Sequence, residues 1–287
     1  MLLNQFYKFL SDLRFIFSTQ YQDSKRFNLF LCYSRLRLKK PFNRFFKYKK
    51  EHFLGYKVDF PDYHDFFEMF REIFIRKAYY FETDTKNPSI IDCGGNIGIS
   101  ILFFKYLYPE AEITVFEPSP KIFKFLKQNI EQNNFQNVKF IQAALHKKNE
   151  SIPFYSFTKR LGGGGSTTIK GVMISKSKKQ PVESELIPAV PLSEYINKPI
   201  DFLKIDTEGS EGVIINELNT SNKISSIKEC VLEYHYNKEN QENILSKLLN
   251  IFQSNGFHLA IFEDEVDIPR FSLKNKKFYH FMIRAYR

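Results

Sequence analysis

The run Ile90-Ile91-Asp92-Cys93-Gly94-Gly95-Asn96-Ile97-Gly98 constrains this chain more than any other stretch. A short apolar segment enters a glycine-rich turn, and an amphipathic segment leaves it, so the order is strand, turn, helix. Glycines in such a turn let a ligand approach the backbone, because they lack a β-carbon and tolerate positive φ. A dinucleotide site would show G-x-G-x-x-G with a pyrophosphate at the helix N-terminus. Here the third position from Gly94 is Asn96, and Asp92 precedes the turn in a D-x-G-x-x-x-G arrangement. That pattern suits a ligand carrying an amino acid and a ribose. Asp92 is expected to help hold the cationic end of such a ligand, directly or through water.

From Ser89 onward apolar strands alternate with amphipathic helices, the pattern of an open α/β sheet. Strands are expected at Ile90–Cys93, Ile113–Phe116, Val138–Ile141, Phe202–Ile205 and Val231–Tyr234. Helices are expected at Ile97–Tyr108, Lys121–Asn133 and Glu239–Gln253, with another starting near Ser210. Phe257–Phe262 and Phe278–Tyr286 read as a closing antiparallel pair, and Asp62–Phe81 as a helix leading into the domain. Residues 145–200 break the rhythm with Gly162–Gly165, the basic stretch Lys176–Lys179, and Ile187–Val190 between two prolines. They read as a hairpin-like insertion with a mobile loop. The expected organisation is a basic, aromatic-rich helical extension over 1–60 and a domain over 61–287 with an insertion at about 145–200.

Two further acidic positions complete the turn. Glu117 ends the second strand, 19 residues after Gly98, where a carboxylate can accept both hydroxyls of a ribose. The block Asp201-Phe202-Leu203-Lys204-Ile205-Asp206-Thr207-Glu208-Gly209-Ser210-Glu211 places carboxylates at the end of the fourth strand. Ligands of open α/β sheets sit beyond the carboxyl ends of the strands, so Asp206 and Glu208 should face the same crevice as the glycine turn. The fifth strand ends in Glu233-Tyr234-His235, and alternation sends Glu233 and His235 to one side.

Taken together, these stretches resemble the FkbM family of S-adenosylmethionine (SAM)-dependent methyltransferases. The resemblance rests on Phe70-Arg71-Glu72-Ile73-Phe74 with Tyr79, on residues 90–100 (IIDCGGNIGIS), 115–120 (VFEPSP) and 137–145 (NVKFIQAAL), and on 201–211 (DFLKIDTEGSE) and 231–235 (VLEYH). It spans about residues 66–262. It implies a Rossmann-like, class I methyltransferase sheet of seven strands in the order 3-2-1-4-5-7-6, the last antiparallel. It also implies SAM as cofactor and methyl transfer to hydroxyls of sugars, glycans and natural products. The cofactor set carried over is Tyr79, Asp92, Gly94, Gly95, Asn96, Gly98, Glu117, Pro118, Gln142, Ala143 and Asp206. Gly95 stands where alanine is common. Ala143 stands where many class I enzymes carry an acid for the adenine amine, which leaves Gln142 or backbone groups for that task.

A sugar hydroxyl is barely acidic and needs a base as the methyl transfers. Asp206 and His235 are the candidates for base or orienter. Glu208 and Glu233 are candidates to hold the acceptor's other hydroxyls or to stabilise a helix N-terminus. Carboxylates beside a histidine could also bind a divalent cation. Gly162–Gly165 with Ser166 and Thr167 could form a lid. Two other functions compete: an RNA or protein methyltransferase, and a non-catalytic binding module. Base methylation of RNA often uses (N/D)PP(Y/F) after the fourth strand, where this chain has Asp206-Thr207-Glu208-Gly209.

Charge separates the extension from the body. Residues 1–50 hold 12 Lys/Arg and 2 Asp/Glu, whereas the other 237 residues hold 30 of each. A nucleic-acid enzyme is therefore not implied by the net charge of +10. Aromatic residues among the basic ones suit a helical cap packed on the body, an anionic membrane surface or a lipid-linked glycan. Three scattered cysteines without metal-ligand spacing fit a reducing compartment. The start of the chain lacks the pattern of an export signal, and no apolar run is long enough to span a bilayer. The expected location is cytoplasmic, with peripheral attachment to the inner face of a membrane as an option.

Overall fold

The computed structural model describes residues 2–18, 23–157, 166–170, 173, 181–237, 240, 243–262 and 278–287. Helices α1 (Leu2–Ser18) and α2 (Asp23–Lys39) come first, followed by a short turn and α3 (Asn43–Phe46). The remaining part of the expected helical extension is instead a hairpin, β1 (Lys50–Phe53) and β2 (Tyr56–Asp59). Its turn, Leu54-Gly55, holds positive φ at both residues, the geometry that matches the twist of paired strands.

Asp62 starts α4 (Tyr63–Phe70), its carboxylate accepting the backbone N–H groups of His64 and Asp65. The helix expected to reach Phe81 widens into a π turn at Arg71–Ile75 and then ends. The i to i+5 bond from Arg76 N to Arg71 O turns both arginines to one side. There both meet Asp12 of α1, at 2.6 Å for Arg71 and 3.4 Å for Arg76. Asp12 is fully buried and also accepts the Tyr33 hydroxyl at 2.7 Å. The interruption of the regular helix thus coincides with a buried charge cluster at α1.

The main sheet is formed by β3 (Ser89–Cys93), β4 (Glu112–Phe116) and β5 (Val138–Ile141), with α5 (Ile99–Leu107) and α6 (Pro120–Glu131) between them. The insertion follows as a separate four-stranded sheet: β6 (Ala144–Leu145), β7 (Glu150–Phe157), β8 (Ser166–Thr167) and β9 (Val182–Val190). Gly162–Gly165 and Lys176–Lys179 lie outside the described residues. The main sheet resumes with β10 (Ile200–Ile205), α7 (Glu211–Thr220), β11 (Ile227–Asn237), α8 (Leu245–Ser254), β12 (His258–Phe262) and β13 (Phe278–Tyr286). Its order is β5-β4-β3-β10-β11-β13-β12, and β13 runs antiparallel to both neighbours. Numbered within the sheet alone, this is 3-2-1-4-5-7-6.

Alternation along the strands builds two cores. Ile90, Ile113, Val115, Phe202 and Val231 face one side with α4, α5, α6 and the N-terminal helices. Ile91, Cys93, Leu203, Ile205, Cys230 and Leu232 face the other, under α7 and α8. Every residue of β3 is buried, as expected of a parallel strand covered on both faces. Much of the phenylalanine excess lies in the first core. Phe81 stacks on Phe202 at 4.3 Å, Phe60 on Phe66 at 4.4 Å, and Phe53 meets Phe70 edge-on at 5.0 Å.

Asp12→Ala removes the carboxylate that both buried guanidiniums face. It should lower the unfolding free energy by about 3 kcal/mol, seen as a reduced urea midpoint at unchanged slope. A loss below about 1 kcal/mol would mean that the N-terminal helices add little to the fold.

Candidate functional site

The glycine turn is held by its neighbours on both sides. Gly94 and Gly95 N–H groups both donate to Phe116 O at 2.9 Å, and Asp206 N donates to Cys93 O at 2.9 Å. Gly94 has φ +91°, and a β-carbon there would stand 1.9 Å from the Asp206 carbonyl oxygen. A β-carbon on Gly95 would stand 2.2 Å from Val115 Cγ2, so the alanine common at this position does not fit here without movement. Glu117 leaves the end of β4 and accepts Ser119 N at 2.9 Å and Asn96 N at 3.0 Å. Burial pushes its carboxyl up to about 7 despite these two bonds.

Two clefts open at this end of the sheet. The first has a volume of about 710 Å³ and is lined by Gly94, Asn96, Glu117, Pro118, Ala143 and Asp206 of the expected set. Phe116, Ile122, Leu145 and Phe154 supply apolar walls, and Ser166, Thr167 and Thr168 approach from the insertion. The second cleft, of about 910 Å³, is lined by His64, Asp65, Glu68, Glu72, Tyr79, Lys204 and Glu233, and by Gly94, Gly95, Asn96, Asp206 and Glu208. Gly94, Asn96, Asp206 and Glu208 thus border both clefts.

Four sequence expectations need correction. Asp92 has no solvent exposure, and its two oxygens take the Ser100 hydroxyl at 2.5 Å and Lys204 Nζ at 2.8 Å. It acts behind the cleft, through Lys204, whose ammonium also reaches Gly94 O at 2.7 Å and lies 5.1 Å from the Tyr79 ring centre. Gln142 is exposed and is not among the described residues that line either cleft; its neighbours Ala143, Ala144 and Leu145 line the first. Gly98 also stands off both clefts, starting α5 at φ +92° against Leu126 and Ile130.

The fourth correction concerns His235. Its Nδ1 lies 3.0 Å from Glu211, and its Nε2 lies 3.4 Å from Glu208 and 3.6 Å from Glu233. Burial alone would lower its proton affinity, but Glu208, Glu233 and Glu211 together raise it well above that of an ordinary histidine. Its surroundings therefore favour the protonated ring, which suits an orienting role better than that of a base. Donor atoms of Asp206, Glu208 and His235 lie within 4.8 Å of one another, a spacing that could hold a divalent cation.

The charged ring also orders its neighbours. Burial alone would raise Glu233, yet His235 and then His280 hold it down, to about 2. Asp206 moves the other way, pushed up to about 7 by burial and then by Glu233. The Tyr79 hydroxyl reaches Asp206 at 3.4 Å.

Sequence reasoning missed Lys204 and Glu211 as site residues. The signal for Lys204 was a lysine inside an otherwise apolar strand. Glu211 is fully buried and accepts Gly209 N at 2.8 Å and Asn243 Nδ2 at 2.8 Å besides facing His235. Its place in the first turn of α7 could be read as a simple helix-terminus acid.

The family profile described as "Methyltransferase FkbM domain" matches residues 92–259. This chain belongs to the FkbM methyltransferase family. It is similar to Methyltransferase 1 of Beauveria bassiana (strain ARSEF 2860), with 27% identity over 164 residues covering 52% of this chain and 66% of that protein. It is also similar to Methyltransferase sdnD of Sordaria araneosa, with 29% identity over 168 residues covering 50% and 65%. The FkbM chain described here thus spans just under two thirds of the length of these curated relatives. The crystal structure of methyltransferase FkbM from Methylobacillus flagellatus KT aligns at 12% identity over 72% of this chain and 45% of that one, with a TM-score of 0.48.

Glu211→Gln removes a carboxylate that raises the proton affinity of His235. The His235 ring should then titrate at lower pH than in the wild type, as read by NMR of the ring carbons. An unchanged titration would show that Glu211 does not hold the charge.

Proposed function

We propose that this chain transfers the methyl group of SAM to a hydroxyl of a sugar, glycan or glycan precursor. The observation that carries this reading is the meeting of two clefts at one carboxylate, Asp206. The first cleft fits SAM by its chemistry. Its glycine turn admits a ligand against bare backbone, and Glu117 offers a carboxylate to ribose hydroxyls. Its apolar walls suit an adenine ring, with the backbone of 143–145 available to the ring edge. Bound SAM supplies a methyl group on a positively charged sulfur, which departs as a neutral thioether.

The protein's part is to place and deprotonate the acceptor. A hydroxyl lying in the second cleft near Asp206 would give its proton to that carboxylate as its oxygen bonds to the methyl carbon. A proton affinity near neutrality suits this role. Tyr79 orients the carboxylate. Glu208 and Glu233, kept in place by the His235 imidazolium, accept hydrogen bonds from further hydroxyls. Asp65, Glu68 and Glu72 add to the same lining. Such a surface suits a polyhydroxylated acceptor and repels a phosphate backbone, which disfavours the RNA reading.

Calorimetric titration should show SAM binding to the wild type in the micromolar range. Glu117→Ala should weaken it by about a hundredfold, the loss of two charge-assisted hydrogen bonds. Absence of binding to the wild type would remove the reading; once binding is seen, transfer of labelled methyl to sugar or glycan pools tests the acceptor class.

The pH dependence has a definite sign. Glu117 and Asp206 both act ionised, and both titrate at about 7 in the free protein. The quantity kcat/KM reports free-protein groups, so it should rise with pH through about 7, more steeply than one ionisation allows. A flat profile between about pH 6 and 8 would exclude Asp206 as the base.

A further inference from the structure

We propose that the outward face of α1, α2 and the corner formed by residues 41–48 docks on an anionic phospholipid surface. Helix α2 is apolar on two opposite sides. Leu29, Tyr33 and Leu36 are buried on one, while Phe27, Leu31 and Leu38 fall on the other and are 58%, 48% and 70% exposed. Helix α1 repeats the arrangement, with Ile16 and Asp12 buried and Tyr7, Leu10 and Phe17 exposed. The corner adds Phe42, Phe45 and Phe46, the last two 66% exposed. A helix that only caps the body needs one apolar face.

The exposed stripes point the same way. Both helices turn their buried sides to α4 and its π turn. Asp12 meets Arg71 there, the Tyr33 ring stacks on Phe67 at 6.0 Å, and the Tyr63 hydroxyl donates to Leu36 O at 2.8 Å. The opposite sides therefore form one outer layer. Residues 1–50 hold 12 Lys/Arg and 2 acids, one of them the buried Asp12; Arg35 and Lys39 pair with Glu51, Lys40 with Glu68 and Lys50 with Asp59, which still leaves the layer net positive.

Between α1, α2 and α4 runs a groove lined by Lys8, Phe9, Arg37, Leu38, Lys40 and Phe67. Basic groups beside apolar ones at one edge match the boundary between lipid phosphates and acyl chains. Glu68 lines this groove as well as the second cleft, and it is paired with Lys40 at 2.6 Å. The docking face therefore adjoins the acceptor's cleft. Exposed leucines favour lipid over nucleic acid, whose bases stack on aromatic rings. Like charge opposes the same face of a second copy. Among the described residues no helix is long and apolar enough to cross a membrane, so attachment would be peripheral.

The test is co-sedimentation of the full chain with vesicles of phosphatidylcholine alone and of an equimolar phosphatidylcholine–phosphatidylglycerol mixture. The wild type should partition onto the mixed vesicles, not the neutral ones, and high salt should weaken binding. The double variant Phe45→Ser/Phe46→Ser, and separately Leu38→Ser, should lose about tenfold in partition at an unchanged melting temperature. No partition of the wild type, or equal partition of all three proteins, overturns the proposal. So does an RNA hairpin bound where vesicles are not, or a dimer that the serine variants abolish in the absence of vesicle binding. None of these readouts depends on methyl transfer, so failure here and failure of the SAM titration are separate results.

Discussion

Lys204 stands in a strand that is apolar on both sides, and its ammonium is almost fully enclosed. Removing an ammonium and a carboxylate from water costs several kcal/mol each, recovered only when geometry is good and the other polar groups are satisfied. Both conditions hold. Asp92 takes Lys204 and Ser100, while Lys204 also takes the Gly94 carbonyl. The pair ties β10 to β3 at the level where the glycine turn begins. The residues that border both clefts flank that tie: Gly94 and Asn96 on one side, Asp206 and Glu208 on the other.

The acidic side of the site follows a second logic. Glu208, Glu211 and Glu233 converge on one imidazole ring, and carboxylates so close together favour a positive charge among them. They raise the proton affinity of His235 accordingly. The result is a division of labour among carboxylates that look alike in sequence. Glu233 is held ionised, and Asp206, one strand away, is left near neutrality.

Much of this was legible before any coordinates. The strand positions, the glycine turn, Glu117 and the Asp206–Glu208 block follow from period-two burial and from ligands gathering at strand ends. Other features were not legible, for physical reasons. The hairpin at 50–59 is short, and Lys50 and Glu51 stand side by side in its first strand, without the apolar–polar alternation that marks a strand. The arginines of the π turn after Phe70 meet Asp12, 59 residues earlier in the chain than Arg71. Gln142 and Ala143 are adjacent, so only the direction of the chain beyond β5 decides which meets the cleft. His235 read as a base or orienter because two of its three carboxylate neighbours, Glu208 and Glu211, come from another segment of the chain, and a single-residue view cannot count them.

Gly94 has one more implication. The gap between this residue and the Asp206 carbonyl is too narrow for a methyl group, so at this point the border shared by the two clefts is set by main chain packed on main chain. That contact cannot be retuned by swapping side chains. Under the function proposed above, a change of acceptor would fall to the outer walls of the second cleft, on α4 and its π turn, while the meeting point of the clefts stays where the backbone puts it.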